Sequence, residues 1–275
     1  MTDPVFVTLL GRPIYWYGLL LAAGFGAGLL HLTWLGRREG RPPGFAADLC
    51  FWLIIGGILG ARLAYVLGNW SEFAAAPGLI LRVDKGGLVF YGGFFGAALA
   101  IWLFARIRQQ PVLKLYDYTL TALPLGHALG RLGCFINGCC QGSLHAGPLS
   151  CTYPAHSSVW WSQVDDRLIA ATAPAALPVW PVQLFEAVAN LLIYALLFRV
   201  YPRRRSAGSI VVLYFLLYST VRFSLEFLRG DLRDRVIIRG LTSAQWVSLS
   251  LFAAALLLGF ILRLKARHAL AHRPA

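Results

Sequence analysis

The chain of 275 residues predicts an all-α integral membrane protein of about seven transmembrane helices in one bundle. Three observations carry that expectation. Hydrophobic residues make up 58% of the sequence and charged residues only 13%, too apolar for an ordinary soluble domain. Apolar runs recur at the roughly 17–25 residues needed to cross the hydrocarbon core of a bilayer. Lysine and arginine gather at alternate ends of those runs, as they do where a chain weaves back and forth.

Taken in order, the strong spans are Ile14–Leu35, Leu49–Leu67, Leu88–Phe104, Gln183–Val200, Ile210–Phe227 and Leu241–Leu262, with a weaker seventh at Tyr118–Leu132. All are read as helices, because an open sheet edge cannot face lipid. The first is too long for a signal-peptide core and no small-residue cleavage site closes it, so the chain is expected to stay whole. Connections are short and residues 1–275 read as a single transmembrane domain. The exception is an outer loop at 143–179, rich in Ala, Pro, Ser and Trp. A structureless loop of that length is either a lid or docking surface, or a variable surface excursion. Trp160, Trp161 and Trp180 suit an interfacial belt.

Orientation follows from the basic residues. With the 1–2, 3–4 and 5–6 loops and the C-terminus assigned to the cytoplasm, those segments hold fourteen of the 25 Lys and Arg residues. Glu72, Asp84, Asp165, Asp166, Asp231 and Asp234 then fall outside. The N-terminus is expected outside and the C-terminus in the cytoplasm. The net charge of +13 sits mostly in those cytoplasmic loops, where topology and anionic headgroups account for it. A nucleic-acid partner is not expected.

Charges inside apolar spans are costly, about 2.5–3.5 kcal/mol or more for an arginine on insertion scales, so they mark function. Arg62, Arg131 and Arg222 are the intramembrane guanidiniums, against the carboxylates Glu186 and Glu226. Arg222 and Glu226 stand at i, i+4 and share a helix face. The formal surplus of positive charge suits a phosphate-bearing lipid headgroup, whose oxygens match a guanidinium fork.

The most informative stretch runs His127-Ala-Leu-Gly-Arg131-Leu-Gly-Cys134-Phe-Ile-Asn137-Gly-Cys-Cys-Gln-Gly142. It resembles the signature of the bacterial prolipoprotein diacylglyceryl transferases. The likeness continues along the chain. Tyr15-Trp16-Tyr17-Gly18 looks like the family's W-Y-G element, and Gly60-Ala61-Arg62 with Tyr65 like its G-G-R-x-x-Y element. Gly86-Gly87 through Phe90-Tyr91-Gly92-Gly93 is similar to its glycine-flanked loop. Pro181 through Gln183 and Glu186 resembles its P-S-Q-x-x-E helix start. Arg222, Glu226, Arg229 and Asp231, followed by Ser243 and Gln245, resemble its ending.

The resemblance implies transfer of the diacylglyceryl group of phosphatidylglycerol to the lipobox cysteine thiol in the signal peptide of a prolipoprotein. The products are a thioether and glycerol phosphate. It implies a multi-pass protein of the bacterial cytoplasmic (inner) membrane, with membrane lipids around it and no cofactor or metal. Arg131 and Arg222 are the expected catalytic cations, since fixed guanidiniums stabilise the departing phosphate more than the bound one. Arg131, Tyr17, Arg62, Asn137, Gly142, Gln183, Glu226 and Arg229 are the expected substrate-binding residues. Two departures stand out. Tyr91, expected with Arg131, Arg222 and His127 among the catalytic residues, occupies the place of the family's histidine, although a phenol of pKa about 10 is a poor base at neutral pH. Cys134 and Cys139 replace an asparagine and an acid. His127, one turn before Arg131, is the expected substitute base.

Cys134, Cys139, Cys140 and Cys151 cluster with His145 and His156, while Cys50 stands alone in the second span. A disulfide, for instance between Cys151 and one of the others, is one reading; small-residue packing is another. A zinc or copper site is the third, although Cys-x4-Cys-Cys-x10-Cys is not a usual ligand spacing. Two competing functions fit parts of the sequence: a membrane thiol-redox protein built on the cysteines, and a lipid-binding paralogue or transporter without turnover.

Overall fold

In the computed structural model, which describes residues 5–9, 11–82, 86–204, 206–231 and 237–271, helices follow one another almost without interruption. An antiparallel hairpin of β1 (Val5–Leu9) and β2 (Arg12–Tyr15) leads into α1 (Trp16–Arg38). Then come α2 (Phe45–Gly68), the short α3 (Trp70–Ala75), a 3-10 turn at Pro77–Leu81, α4 (Phe90–Ile107), α5 (Val112–Leu120) and α6 (Leu123–Asn137). The remainder is α7 (Ser158–Asp165), α8 (Val182–Val200), α9 (Ser209–Glu226), a two-residue hairpin of β3 (Ile237–Ile238) and β4 (Leu241–Thr242), and α10 (Ser243–Ala271). Of the charges used to orient the chain, Asp84, Arg205, Asp234 and Arg273 lie outside the described residues.

Among the described residues, six helices are long and apolar enough to cross a membrane: α1, α2, α4, α8, α9 and α10. Their bounds match the six strong runs to within four residues, except that α10 continues nine residues beyond Leu262. The weaker run at Tyr118–Leu132 is not one helix. The chain breaks between Leu120 and Leu123, and Pro124 sits in the first turn of α6, where its missing N–H costs nothing. What remains is a helix of 15 residues. The six apolar helices turn large side chains outward: Phe51, Leu59, Phe95, Leu192 and Leu257 are 61–67% exposed. Polar groups are turned inward, with Gln183, Glu186 and Asn190 of α8 at 0–1% exposure. That polarity, reversed from a water-soluble bundle, is the pattern lipid demands.

The chain divides into two compact units, residues 29–119 and residues 1–28 with 120–275. In the first, α2 packs along α4 through Gly56-x-x-x-Gly60 and Gly92-x-x-x-Gly96. A Cβ on Gly56 would lie 2.6 Å from the Ala100 Cβ and 2.8 Å from the Gly96 carbonyl oxygen. Small residues at four-residue spacing let two backbones approach where lipid offers no hydrophobic drive. Arg62 belongs to this unit. It donates to the carbonyls of Leu79 (2.5 Å), Ile80 (2.9 Å), Gly86 (3.0 Å) and Gly87 (3.1 Å), fastening the segment that enters α4. At the other end, the Tyr118 hydroxyl donates to the Leu32 carbonyl beneath the Arg41 guanidinium, 4.3 Å from the ring centre.

In the second unit α6 packs on α8, α8 on α9 and α9 on α10. The loop at 143–179 is not structureless. Leu144 and Cys151 bridge to Val179, Pro154 bridges to Ala175, and α7 closes over a core of Tyr153, Val159, Trp160, Ala176 and Val179. Trp160, expected at an interface, is buried in that core and donates to the Ala173 carbonyl at 2.9 Å. Its indole found a partner inside the loop, so it has no need of headgroups.

Replacing Gly96 by valine is expected to force α2 and α4 apart and to cost about 1–3 kcal/mol, the usual range for overpacking. Thermal unfolding in detergent measures the loss, and an unchanged midpoint would mean that the close approach is not needed.

Candidate active site

Glu186 organises the polar interior of the second unit. It lies one turn into α8 on a face that also carries Gln183 and Asn190. Its side chain is 1% exposed, and a carboxylate so placed is tolerable only with cationic company. Arg131 of α6 supplies it, with Nε 3.0 Å from Glu186 Oε2. The Nε–H is not aimed along that line, so the contact is an ion pair and not a hydrogen bond. His127, one turn earlier on α6, brings Nε2 to 3.5 Å from Glu186 Oε1, and its ring lies 5.2 Å from that of Tyr218. Glu186 therefore bridges the arginine and the histidine of the signature.

Three buried acceptors on α8 and its ligand face, Gln183 Oε1, Glu186 Oε1 and Asn190 Oδ1, receive no hydrogen bond among the described residues. The terminal amino groups of Arg131 likewise bond to nothing described there. Unspent donors and acceptors side by side are a costly arrangement for a purely structural interior.

A second pair forms as the spacing predicted. Arg222 Nη1 donates to Glu226 Oε2 at 2.5 Å along α9, and Thr242 Oγ1 donates to the other carboxylate oxygen at 2.8 Å. Arg229, just past α9, makes a two-pronged pair with Asp231: Nε to Oδ1 at 2.8 Å, and Nη2 to Oδ2. Arg131, Arg222 and Arg229 are each matched by one carboxylate, so the surplus counted from the sequence rests on Arg62, which lies in the other unit. Arg62, with its donors committed to the backbone, is a structural arginine of the other unit. Tyr91 stands in the first turn of α4 in that unit, 45% exposed.

The signature ends in a fold of the chain that brings cysteines together. α6 stops at Gly138 in the left-handed conformation (φ +67°), and Cys140 also takes a left-handed φ of +60°. A side-chain-bearing residue adopts that region at a cost and holds it only where its surroundings insist. Here Gln183 Nε2 clamps the Cys139 carbonyl at 2.7 Å, and Gly230 N donates to the Gln141 carbonyl at 3.1 Å. Gly142 then crosses between Trp180 and Arg229, where its N–H donates to the Trp180 carbonyl and a Cβ would meet Val182 Cγ2 at 2.8 Å. As a result the Sγ atoms of Cys134, Cys139 and Cys140 all lie within 4.8 Å of one another. Hydrogen bonds from the thiols of Cys134 and Cys139, with Arg229 and Arg131 near by, hold the Cys140 thiol below its ordinary range.

All five cysteines are free, so of the readings open for them the disulfide is not formed here. Cys151 instead turns its thiol to the Val179 carbonyl at 3.6 Å, while His145 stacks on Trp180 with ring centres 3.4 Å apart. Tyr17 packs on Gly133, where a Cβ would lie 3.1 Å from the tyrosine ring, and Asn137 hydrogen-bonds the Cys139 thiol. Tyr17, His127, Arg131, Asn137, Gly142, Gln183, Arg222, Glu226 and Arg229 thus belong to one unit. The sequence reading missed Asn190 and Tyr153, whose hydroxyl accepts from Gln183 Nε2 at 3.2 Å. For Asn190 a signal existed: Gln183, Glu186 and Asn190 at i, i+3, i+7 are polar residues on one face of an apolar helix.

Fold and site together define an all-α integral membrane protein whose interior carries fixed arginine–carboxylate pairs. The model of the prolipoprotein diacylglyceryl transferase family matches residues 4–261, and the chain belongs to that family. It is 30% identical over 263 residues to phosphatidylglycerol–prolipoprotein diacylglyceryl transferase 2 of Clostridium perfringens, covering 94% of this chain and 95% of that protein. It is 35% identical to the phosphatidylglycerol–prolipoprotein diacylglyceryl transferases of Synechococcus elongatus, with 90% of this chain and 82% of the relative covered, and of Gloeobacter violaceus, with 90% and 88%.

Substituting Glu186 by glutamine keeps the shape but leaves Arg131 without its counter-charge. Removing one partner of a buried pair costs about 3–5 kcal/mol. A lower unfolding midpoint in detergent is therefore expected, restored in part when Arg131→Met is combined with Glu186→Met; no loss on Glu186→Gln would show that the pair is not needed for stability.

Proposed function

We propose that this chain transfers the diacylglyceryl group of phosphatidylglycerol to the lipobox cysteine of a prolipoprotein, forming a thioether and releasing glycerol phosphate. In this reading it works in the bacterial inner membrane as one transmembrane domain, with the N-terminus outside and the C-terminus in the cytoplasm. The short α6 is the seventh membrane-inserted helix.

The observation that carries the proposal is Arg131 anchored by Glu186 with its terminal donors unspent. A guanidinium held by one edge is oriented before substrate arrives, so it stabilises a departing phosphate without reorganising. Arg222, held through Glu226 and Thr242, has the same character. The unfilled acceptors Gln183 Oε1, Glu186 Oε1 and Asn190 Oδ1 suit the hydroxyls of a glycerol headgroup, so donors for the phosphate and acceptors for the glycerol stand in one interior. Arg229, Gln183, Asn137 and Gly142 hold the loop that borders this space, and Tyr17 closes it against Gly133. Arg62 serves by fastening the segment that enters α4.

The attacking thiol, with pKa about 8.5, must lose its proton. His127 is the base, and Glu186 at 3.5 Å stabilises the imidazolium that results. Tyr91 in the place of the family's histidine favours one competing reading, a paralogue that binds the lipid without turning it over.

The test is a transfer assay in liposomes with phosphatidylglycerol and a lipobox peptide, reading thioether by mass. Wild type is expected to form product. Arg131→Ala and Arg222→Ala should each lower the rate about 10²–10³-fold, the cost of losing one preorganised donor. His127→Ala should lower it about 10²-fold; a rate near wild type would remove His127 from the role of base. Lipid binding with no product from wild type would favour the paralogue.

A further inference from the structure

We infer that Cys134, Cys139 and Cys140 bind one zinc ion whose fourth position takes the thiol of the peptide substrate. The identity of that fourth ligand rests on the transferase reading; the metal site does not.

The three Sγ atoms lie within 4.8 Å of one another. A zinc ion with Zn–S of about 2.3 Å sets its sulfurs about 3.8–4.0 Å apart, so only a small rotation of the side chains separates the cluster from a ligand triangle. The spacing Cys-x4-Cys-Cys is unusual because the last two ligands are adjacent, and adjacent side chains ordinarily diverge. Here the left-handed φ of +60° at Cys140 turns its side chain back beside Cys139. The supports of the triangle are themselves held. Cys139 N donates to the Cys134 carbonyl at 3.1 Å, Gln183 clamps the Cys139 carbonyl, and Asn137 bonds the Cys139 thiol. A ligand set with oriented outer contacts is the mark of a built metal site.

Charge agrees with geometry. Three thiolates on Zn(II) carry a net −1, and a fourth makes −2. Arg131 and Arg229 are both close enough to act on Cys140, which suits an anionic complex at a depth where bare negative charge is costly. Structural zinc sites close with four protein ligands, whereas sites that work on substrate keep one position for it. Among the described residues the ligand groups that converge here number three.

The open position meets a need of the reaction. Coordination of the peptide thiol releases its proton and leaves a zinc-bound thiolate. That sulfur attacks the glyceryl carbon, the C–O bond breaks with its electron pair going to the phosphate, and the thioether leaves the metal. The released proton is taken up by the departing phosphate, which has gained one negative charge. No oxidant or reductant takes part. The metal thereby lowers the thiol pKa in a chain that carries Tyr91 in the place of the family's histidine.

The test uses the full chain, reduced and in detergent, loaded with Zn(II) or with Co(II) as a coloured stand-in. One equivalent is expected to bind with a thiolate-to-cobalt charge-transfer band. Cys134→Ser, Cys139→Ser and Cys140→Ser should each weaken it, and Cys50→Ser and Cys151→Ser should leave it intact. A lipobox peptide should raise the band by roughly one third as three thiolates become four, and the same peptide with serine for cysteine should not. Stripping the metal should slow transfer about 30-fold at pH 7, because a free thiol of pKa about 8.5 is then mostly protonated. That gap should close as the pH rises past the thiol pKa.

Absence of stoichiometric metal in a folded, reduced protein would overturn the inference, as would full binding by the serine variants. So would a spectrum indifferent to the peptide thiol, or metal-free protein as fast as zinc-loaded protein at pH 7. Tight Cu(I) binding that blocks transfer, with no response to Zn(II), would overturn it as well. A protein that binds metal and peptide thiol as described yet makes no thioether keeps the metal site and loses the transferase reading.

Discussion

A buried carboxylate in an apolar helix is the constraint around which the polar interior is arranged. Glu186 cannot be left in that setting alone, and the partners able to reach it come from α6. Once Arg131 and His127 face it, the rotation of α6 about its axis and its height along α8 are both fixed, since a shift of one residue would turn the guanidinium toward lipid. The same registration turns Cys134, two turns beyond His127, to the face that carries the arginine. A compensation required for folding thus also aims the groups to which the proposed chemistry is assigned.

Beyond α6 the chain is governed by close backbone contacts. Gly142 passes between Trp180 and Arg229, and Gly230 lies against Gly142 so tightly that a side chain on either would displace main chain. These crossings tie the end of α6 to the start of α8 and the end of α9. The segment that follows carries its own core around Trp160. It is a folded excursion anchored at both ends, and it supplies Tyr153 to the clamp on Gln183. The strained backbone at Cys140 is affordable because Gln183 and the Gln141–Gly230 contact hold its neighbours.

The other unit solves a different problem. α2 and α4 expose large apolar side chains to lipid and gain nothing by burying more of them against each other. Their contact relies on glycine, which lets dispersion act between backbones at short range. Arg62 completes the arrangement by collecting the carbonyls of Leu79, Ile80, Gly86 and Gly87 at the turn into α4. A charged residue there is tolerated because it is a source of hydrogen bonds, with the ring of Phe73 5.2 Å from its guanidinium.

The sequence alone determined the helical membrane class, the six long apolar helices and the Arg222–Glu226 pair. Each depends on local quantities: the length of an apolar run, the exclusion of sheet edges from lipid, a spacing of four on a helix. The signature around Arg131 identified the family for a similar reason, because its residues are contiguous. Tertiary structure decided the rest. That Glu186 faces Arg131 and that Arg62 serves backbone carbonyls both depend on which distant segments meet. The loop at 143–179 read as structureless because its core is assembled from residues with no shared period. The cysteines read as a poor ligand set because spacing along a chain assumes ordinary backbone angles, whereas Cys140 takes a left-handed φ of +60° and the three sulfurs lie within 4.8 Å of one another.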